Sequence, residues 1–165
     1  MDHLRRKLTV RAHGQSLVLV KRPIESAEHV IQKALLWALY LPSYPQMRVE
    51  VPLSQPSRYK PDVLALDDRA EPIFWGECGE VAVEKLQFLL SRYRRTYFVF
   101  SKWDIRLDPF ADLIVKALKQ SRRAAPVELI GFRPSAIERI QPDGRITVTD
   151  EDYELRRWEA NGEQS

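Results

Sequence analysis

The sequence predicts an α/β fold in which helices flank a central mixed sheet. Three observations favour it: helix and strand patterns alternate along the chain, three segments carry apolar residues at helical spacing, and one predicted hairpin is apolar on both faces. Strands that are apolar on both faces are typical of a sheet covered by helices. The length of 165 residues, with 44% hydrophobic and 30% charged residues, fits a single domain over residues 1–165.

The first elements are a short strand and a long helix. Residues 17–21 predict the strand, and residues 26–41 predict the helix with Ser26 as its N-cap. Residues 48–53 follow as a weak strand. Because Pro52 cannot donate a backbone hydrogen bond, that strand is expected at a sheet edge or with an early stop.

Two apolar runs around a polar break predict a β-hairpin. The break at residues 67–71 is rich in turn formers, which is typical of a short loop between antiparallel strands. A loop symmetric about its centre places Leu64 opposite Trp75. The same register places Asp62 directly opposite Glu77.

After the hairpin, helix and strand patterns alternate twice. A helix over 83–93 precedes a buried strand over 96–100, and a helix over 109–120 precedes a buried strand over 127–132. Right-handed crossovers place such strands parallel to a strand of the hairpin. The Pro-Asp-Gly turn former at 142–144 then predicts a terminal hairpin.

Asp62 and Glu77 are the main candidates for a functional site. Directly opposed residues have Cβ atoms about 4.5–5.5 Å apart, so the two carboxylates repel unless a cation separates them or one is protonated. Mg²⁺ is often bound by one or two carboxylates together with water and a substrate phosphate. A metal site is one interpretation. The alternative is an acid pair that supports the fold through salt bridges to Arg58, Lys60 or Lys33.

Glu28 is a further acidic candidate. It lies three residues before Ile31 and seven before Leu35, on the apolar stripe of the first helix, so its carboxylate is expected to point towards the sheet. The alternative is a first-turn acid that only favours the helix dipole.

Clustered basic residues indicate where a polyanion would contact the protein. The net charge of +3 permits a nucleic-acid partner without demanding one. Arg92, Arg94 and Arg95 form a cluster that we expect to contact phosphates. The alternative is that they complement the dipole at the end of a helix.

Several other classes of protein are excluded by composition. Cys78 is the only cysteine, which excludes an internal disulfide and a multi-cysteine zinc site. No apolar run approaches the length of a membrane span, and the charged N-terminus lacks the apolar segment of a secretory signal. We expect a cytoplasmic protein without a membrane partner. The absence of a glycine-rich phosphate loop predicts no small-molecule organic cofactor.

The element order, with Pro61-Asp62 on one strand and a glutamate on the next, resembles the core of the PD-(D/E)XK nuclease superfamily. Within it the chain is similar to the YaeQ-like family through Arg22-Pro23-Ile24-Glu25-Ser26-Ala27-Glu28 and through Glu77-Cys78-Gly79. The resemblance implies a restriction-endonuclease-like αβββαβ core with an extra C-terminal helix, strand and hairpin. It departs from the motif at Gly79, where a lysine is expected.

The resemblance also implies a metal-dependent nuclease that hydrolyses phosphodiesters of DNA or RNA. Its Mg²⁺, or Mn²⁺ as a substitute, would be held by Asp62, Glu77, the backbone carbonyl of Cys78 and Glu28. The missing lysine puts catalysis in question. A catalytically inactive module that binds nucleic acid or protein on the same fold is therefore the alternative function.

Two lysines are candidates to replace the one absent at Gly79. Lys85 projects from the helix after the hairpin, where the family tends to carry a basic residue. Lys60 pairs across the hairpin with Gly79 in the symmetric register. The alternative for Lys85 is a solvated helix lysine.

Overall fold

The computed structural model describes residues 7–50, 53 and 58–165. It confirms the α/β prediction. Within these ranges the chain forms three α-helices: α1 (Ala27–Tyr40), α2 (Val83–Arg92) and α3 (Asp108–Lys119). The strands in the same ranges are β1 (Lys7–Ala12), β2 (Gln15–Val20), β3 (Arg48–Val49), β4 (Val63–Leu66), β5 (Pro72–Cys78), β6 (Tyr97–Trp103), β7 (Val127–Phe132) and β8 (Tyr153–Trp158).

Strands β3 to β8 form one six-stranded mixed sheet in sequence order. β5, β6 and β7 are parallel neighbours, which confirms the two crossovers. The pairs β3–β4, β4–β5 and β7–β8 are antiparallel. The αβββαβ core is therefore α1, β3, β4, β5, α2 and β6, and α3, β7 and β8 follow it as the C-terminal addition.

Helices cover both faces of this sheet. Phe74 of β5 packs in the core beneath α1, whereas its neighbour Trp75 packs in the core beneath α2 and α3. Both side chains are fully buried, as expected for a central strand. Within the described ranges, no helix has the length and apolar character needed to cross a membrane.

The hairpin of β4 and β5 has the predicted register over most of its length. Leu64 pairs with Trp75 as expected. Leu66 pairs with Pro72, one residue earlier than a symmetric loop predicts. The loop contains Ala70 in the left-handed region at φ +62°, and a bulge between residues 65 and 66 absorbs the extra residue.

The N-terminal hairpin of β1 and β2 is a separate two-stranded sheet, of which the sequence predicted only the second strand. Ala12 pairs with Gln15 across a two-residue loop. The loop residues His13 and Gly14 have φ +50° and +79°, the left-handed pair that a type I′ turn requires.

The C-terminal Pro-Asp-Gly turn packs against β1. Ile140 and Ile146 form an isolated antiparallel bridge around it, which agrees with the predicted hairpin. Gly144 has φ +90°, and its carbonyl accepts a hydrogen bond from the backbone N–H of Arg11. A Cβ atom at Gly144 would lie 2.4 Å from the backbone oxygen of Thr9, so only glycine fits.

Candidate active site

Asp62 and Glu77 lie side by side at one end of the six-stranded sheet. Val63 pairs with Gly76, and the Asp62 N–H donates to the Gly76 carbonyl at 3.1 Å, so the hairpin register continues to the predicted acid pair. The Asp62 side chain is 18% exposed, whereas that of Glu77 is 4% exposed. One acid is therefore open to ligands and the other is buried.

Glu77 faces the layer of α2 and is held by two donors. Its Oε1 accepts a hydrogen bond from Trp75 Nε1 at 2.8 Å. Its Oε2 accepts one from Lys85 Nζ at 2.9 Å. Burial raises the pKa of Glu77, and the negative charge of Asp62 raises it further, against the opposing effect of Lys85.

Asp62 has partners from β5 and from the layer of α1. Its Oδ2 accepts a hydrogen bond from the Cys78 N–H at 2.8 Å, and its Oδ1 lies 3.4 Å from His29 Nε2. The other ring nitrogen of His29, Nδ1, contacts Glu25. Hydrogen bonding to Asp62 raises the pKa of His29, although burial of the ring opposes this.

Protein groups contact both acids, so an inorganic ion is not needed to explain why the two carboxylates lie close together. Lys85 neutralises Glu77, and the Cys78 N–H together with His29 stabilises Asp62. The three basic partners named in the salt-bridge alternative do not fill this role. Arg58 lies over the Tyr59 ring, Lys33 binds other acids, and Lys60 forms no ion pair within the described ranges.

A cavity of about 630 Å³ opens beside Asp62 on the α1 side. Glu25 and Glu50 line it, and both bind the fully buried ammonium of Lys33. Of the two predicted site acids, Asp62 lines the cavity and Glu77 does not. Besides these acids, the lining residues are Arg22, Ile24, Ser26, His29, Gln32, Lys60, Pro61, Asp62, Cys78, Gly79 and Glu80.

Sequence reasoning missed the row Glu25, His29 and Lys33. Residues four apart are neighbours on one side of a helix, and this spacing is the signal that would have found them. Ser26 is the N-cap of α1 and accepts from the His29 N–H at 3.1 Å, which fixes the first turn beside Glu25. Burial opposes ionisation of Glu25, but hydrogen bonds from Lys33, Arg22 and His29 together lower its pKa.

The predicted orientation of Glu28 is wrong. Glu28 is exposed and does not line the cavity. Ile31, one turn later, is only half-buried, so this side of α1 lies at the margin of the packed stripe. Glu25, just before the helix, is the acid that turns towards the sheet; only 8% of its side chain is exposed.

The predicted lysines fall in two different places. Lys85 reaches Glu77 directly, and its ammonium also lies over the Tyr59 ring at 5.1 Å. Lys60 is exposed at the cavity mouth, where it forms no hydrogen bond within the described ranges. A third lysine, Lys102 of β6, donates to the backbone carbonyl of Gly79 at 2.6 Å and was not anticipated.

The arginine cluster lies at the opposite end of the sheet from the acids. Arg92 ends α2, and Arg94 and Arg95 lie in the loop that leads into β6. They line a second cavity that includes Pro72, the first residue of β5, whereas the acids lie at the other end of that strand. Phosphate binding by the three arginines stays a prediction, but they do not border the candidate active site.

Asp62 and Glu77 at the acid end are oxygen ligands of the kind that a divalent cation takes. No three described His, Cys, Asp or Glu side chains gather as a metal cluster, so a cage built from three side chains is absent from these ranges. Mg²⁺ commonly needs only one or two carboxylates, with water and substrate oxygens completing its shell. A carboxylate has about four lone-pair positions. Glu77 uses two of them, for Trp75 and Lys85.

Comparison with known structures supports the predicted fold. The chain is similar to the YaeQ protein from Xanthomonas axonopodis pv. citri, with a TM-score of 0.55 and 16% identity over 90% of this chain and 91% of that chain. It is also similar to the YaeQ protein from Pseudomonas syringae, with a TM-score of 0.60 and 15% identity over 96% of this chain and 89% of that chain. No protein-family model and no curated protein sequence matches the chain. The expected YaeQ-like fold is therefore confirmed.

Proposed function

We propose that this protein is a metal-dependent phosphodiesterase that acts on DNA or RNA, a YaeQ-like member of the PD-(D/E)XK nuclease superfamily with a divergent active site. The observation that carries the proposal is the group of Asp62, Glu77 and Lys85. Asp62 immediately precedes β4 and Glu77 lies on the paired strand β5, and the Lys85 ammonium lies 2.9 Å from Glu77. Two carboxylates and a lysine are the chemical groups that the superfamily motif combines.

Asp62, Glu77 and the backbone carbonyl of Cys78 would hold Mg²⁺, or Mn²⁺ in its place. The bound ion would supply Lewis-acid activation of a phosphoryl oxygen and of a water molecule. Asp62 borders the cavity, so a substrate phosphate has access to this side of the site. Glu28 is exposed away from the cavity and has no part in the proposal.

The remaining contacts orient the two acids. The Cys78 N–H fixes Oδ2 of Asp62, while Trp75 and Lys85 fix the two oxygens of Glu77. Such partners hold ligand groups in place and adjust their basicity. Burial and the charge of Asp62 raise the pKa of Glu77, and Lys85 opposes that rise.

Metal binding is tested by thermal unfolding with Mn²⁺. A ligand at about 100 times its Kd stabilises the folded state by about 2.7 kcal/mol, which for a chain of this size raises the Tm by roughly 5–11 °C. We expect this rise in the wild type and its loss in D62N and E77Q. The matched control is E28Q, which changes an exposed acid of the same region and should keep the rise.

Cleavage is tested with labelled DNA and RNA, single-stranded and duplex, in Mg²⁺ or in EDTA. Degradation should require the metal, disappear in D62N and E77Q, and persist in E28Q. Equal degradation by wild type and D62N would contradict the proposal. Nucleic-acid binding in EDTA without turnover in Mg²⁺ would instead identify the inactive binding module.

A further inference from the structure

Lys102 is a buried cation that has no acidic partner among the described residues. It lies on β6 with 6% of its surface exposed, and its Nζ donates to the Gly79 carbonyl at 2.6 Å. It forms no ion pair with any carboxylate in the described part of the chain. Lys33, the other buried lysine of this region, differs because it binds both Glu25 and Glu50.

The strand register places Lys102 beside the residue that departs from the nuclease motif. Cys78 of β5 pairs with Ser101 of β6, so the next position brings Lys102 alongside Gly79. Gly79 has φ +86°, a left-handed conformation in which a lysine would be strained. The backbone turn at position 79 therefore disfavours a lysine there. A Cβ at Gly79 would point towards His29, 3.7 Å from its Cδ2, whereas Lys102 reaches the Gly79 carbonyl from β6.

The Lys102 ammonium retains donors for a ligand. An ammonium has three N–H groups, and the described residues accept only one of them, through the Gly79 carbonyl. The Phe110 ring covers another side, with its centroid 3.9 Å from Nζ. Burial lowers the pKa of Lys102 to about 8, and the negative charge of Glu80 partly opposes this shift. A buried charge with unused hydrogen-bond donors destabilises a fold, and a bound ligand that accepts from those donors offsets this cost.

We propose that Lys102 binds an anionic phosphoryl oxygen of the substrate, beside the Gly79 carbonyl to which it already donates. The ligand class is a phosphate monoanion or a phosphodiester, because a compact ammonium in a low-dielectric site favours such oxygens. This inference rests on the proposed function only for the identity of the substrate. Lys85 is then the partner of Glu77, and Lys102 is the residue that contacts substrate.

The first test is a titration with inorganic phosphate in which binding is monitored through the NMR signals of the lysine side chains. Phosphate should shift the Lys102 resonances in the wild type, and the shift gives the Kd. K102M should weaken binding about tenfold or more, as expected for the loss of one charge-assisted hydrogen bond. The control K119M removes an exposed lysine of α3 that does not line the cavity, and it should bind like the wild type. Wild-type affinity in K102M would overturn the inference.

A second measurement does not depend on how K102M folds. In the wild type itself, Lys102 resonances that stay unchanged at saturating phosphate would also refute the assignment. K102R keeps the charge, so we expect it to recover phosphate affinity and most of the kcat/KM for nucleic acid that K102M loses. A merely structural role predicts no such recovery, because an arginine is larger and less easily packed.

The two proposals fail in different ways. Phosphate binding that depends on Lys102, without any metal-dependent cleavage, would leave the inference intact and remove the proposed nuclease. Cleavage that requires Asp62 and Glu77 but proceeds with unchanged kcat and KM in K102M would do the reverse.

Discussion

Replacing Lys102 by methionine should make the protein more stable, although it removes a hydrogen bond. The pKa of this lysine falls from 10.5 to about 8 in the folded state. Each pKa unit corresponds to about 1.4 kcal/mol, so keeping the charge at neutral pH costs the fold about 3 kcal/mol. Methionine has a similar length, packs on the Phe110 ring and carries no charge. We expect K102M to raise the free energy of unfolding at pH 7 by about 2–3 kcal/mol, and the Tm by roughly 5–12 °C.

The gain should depend on pH in a defined direction. The unfolded chain keeps the Lys102 proton up to pH 10.5, whereas the folded chain releases it near pH 8. Between these values the unfolded state binds more protons, so wild-type stability rises with pH and the advantage of K102M shrinks.

Urea unfolding of both proteins at pH 7 and at pH 9.5 measures this difference. K60M, an exposed replacement, should stay within about 0.5 kcal/mol of the wild type. If K102M unfolds at the same or a lower urea concentration at pH 7, the Lys102 charge does not destabilise the fold and the reasoning is wrong.

Two further predictions concern the fold itself. Tyr40 donates its hydroxyl hydrogen to the buried carboxylate of Glu128. Y40F leaves that carboxylate short of a donor, so we expect it to lower the free energy of unfolding, measured by chemical unfolding, by about 1–3 kcal/mol. An unchanged unfolding midpoint would contradict this. Gly144 (φ +90°) and Gly162 (φ +88°) have the same left-handed backbone, in which an alanine would be strained, but only at Gly144 would a Cβ strike the oxygen of Thr9. G144A should therefore lower the Tm clearly more than G162A, and equal losses would show that backbone strain alone decides.

Much of the fold could be predicted because its signals are local. Apolar residues at helical spacing and the N-cap Ser26 marked α1, and the continuous apolar run at 127–132 marked β7 with its observed bounds. The pairing of Leu64 with Trp75 followed from the loop alone. β1 was missed because its pairing depends on a two-residue turn of His13 and Gly14, which is not among the most frequent turn pairs.

The site was less predictable because its contacts cross between elements. The nearness of Asp62 and Glu77 follows from one hairpin, which a sequence pattern can describe. The approach of Lys102 to Gly79 depends on a parallel pairing formed across the whole α2 crossover, and no local pattern encodes it. Glu25, and not Glu28, turns towards the sheet because of how the edge of α1 packs. Tertiary packing of this kind is not encoded in a local sequence pattern.

The separation of the arginine cluster from the acids sets a minimum length for any ligand that contacts both. Strand β5 has seven residues and lies between them, a span of about 20 Å at 3.3 Å per residue. With a rise of about 3.4 Å per nucleotide along a duplex strand, roughly six nucleotides are needed to cover it. Shorter oligonucleotides can occupy only one end of the sheet, so affinity that increases stepwise beyond this size would reveal simultaneous engagement of both ends.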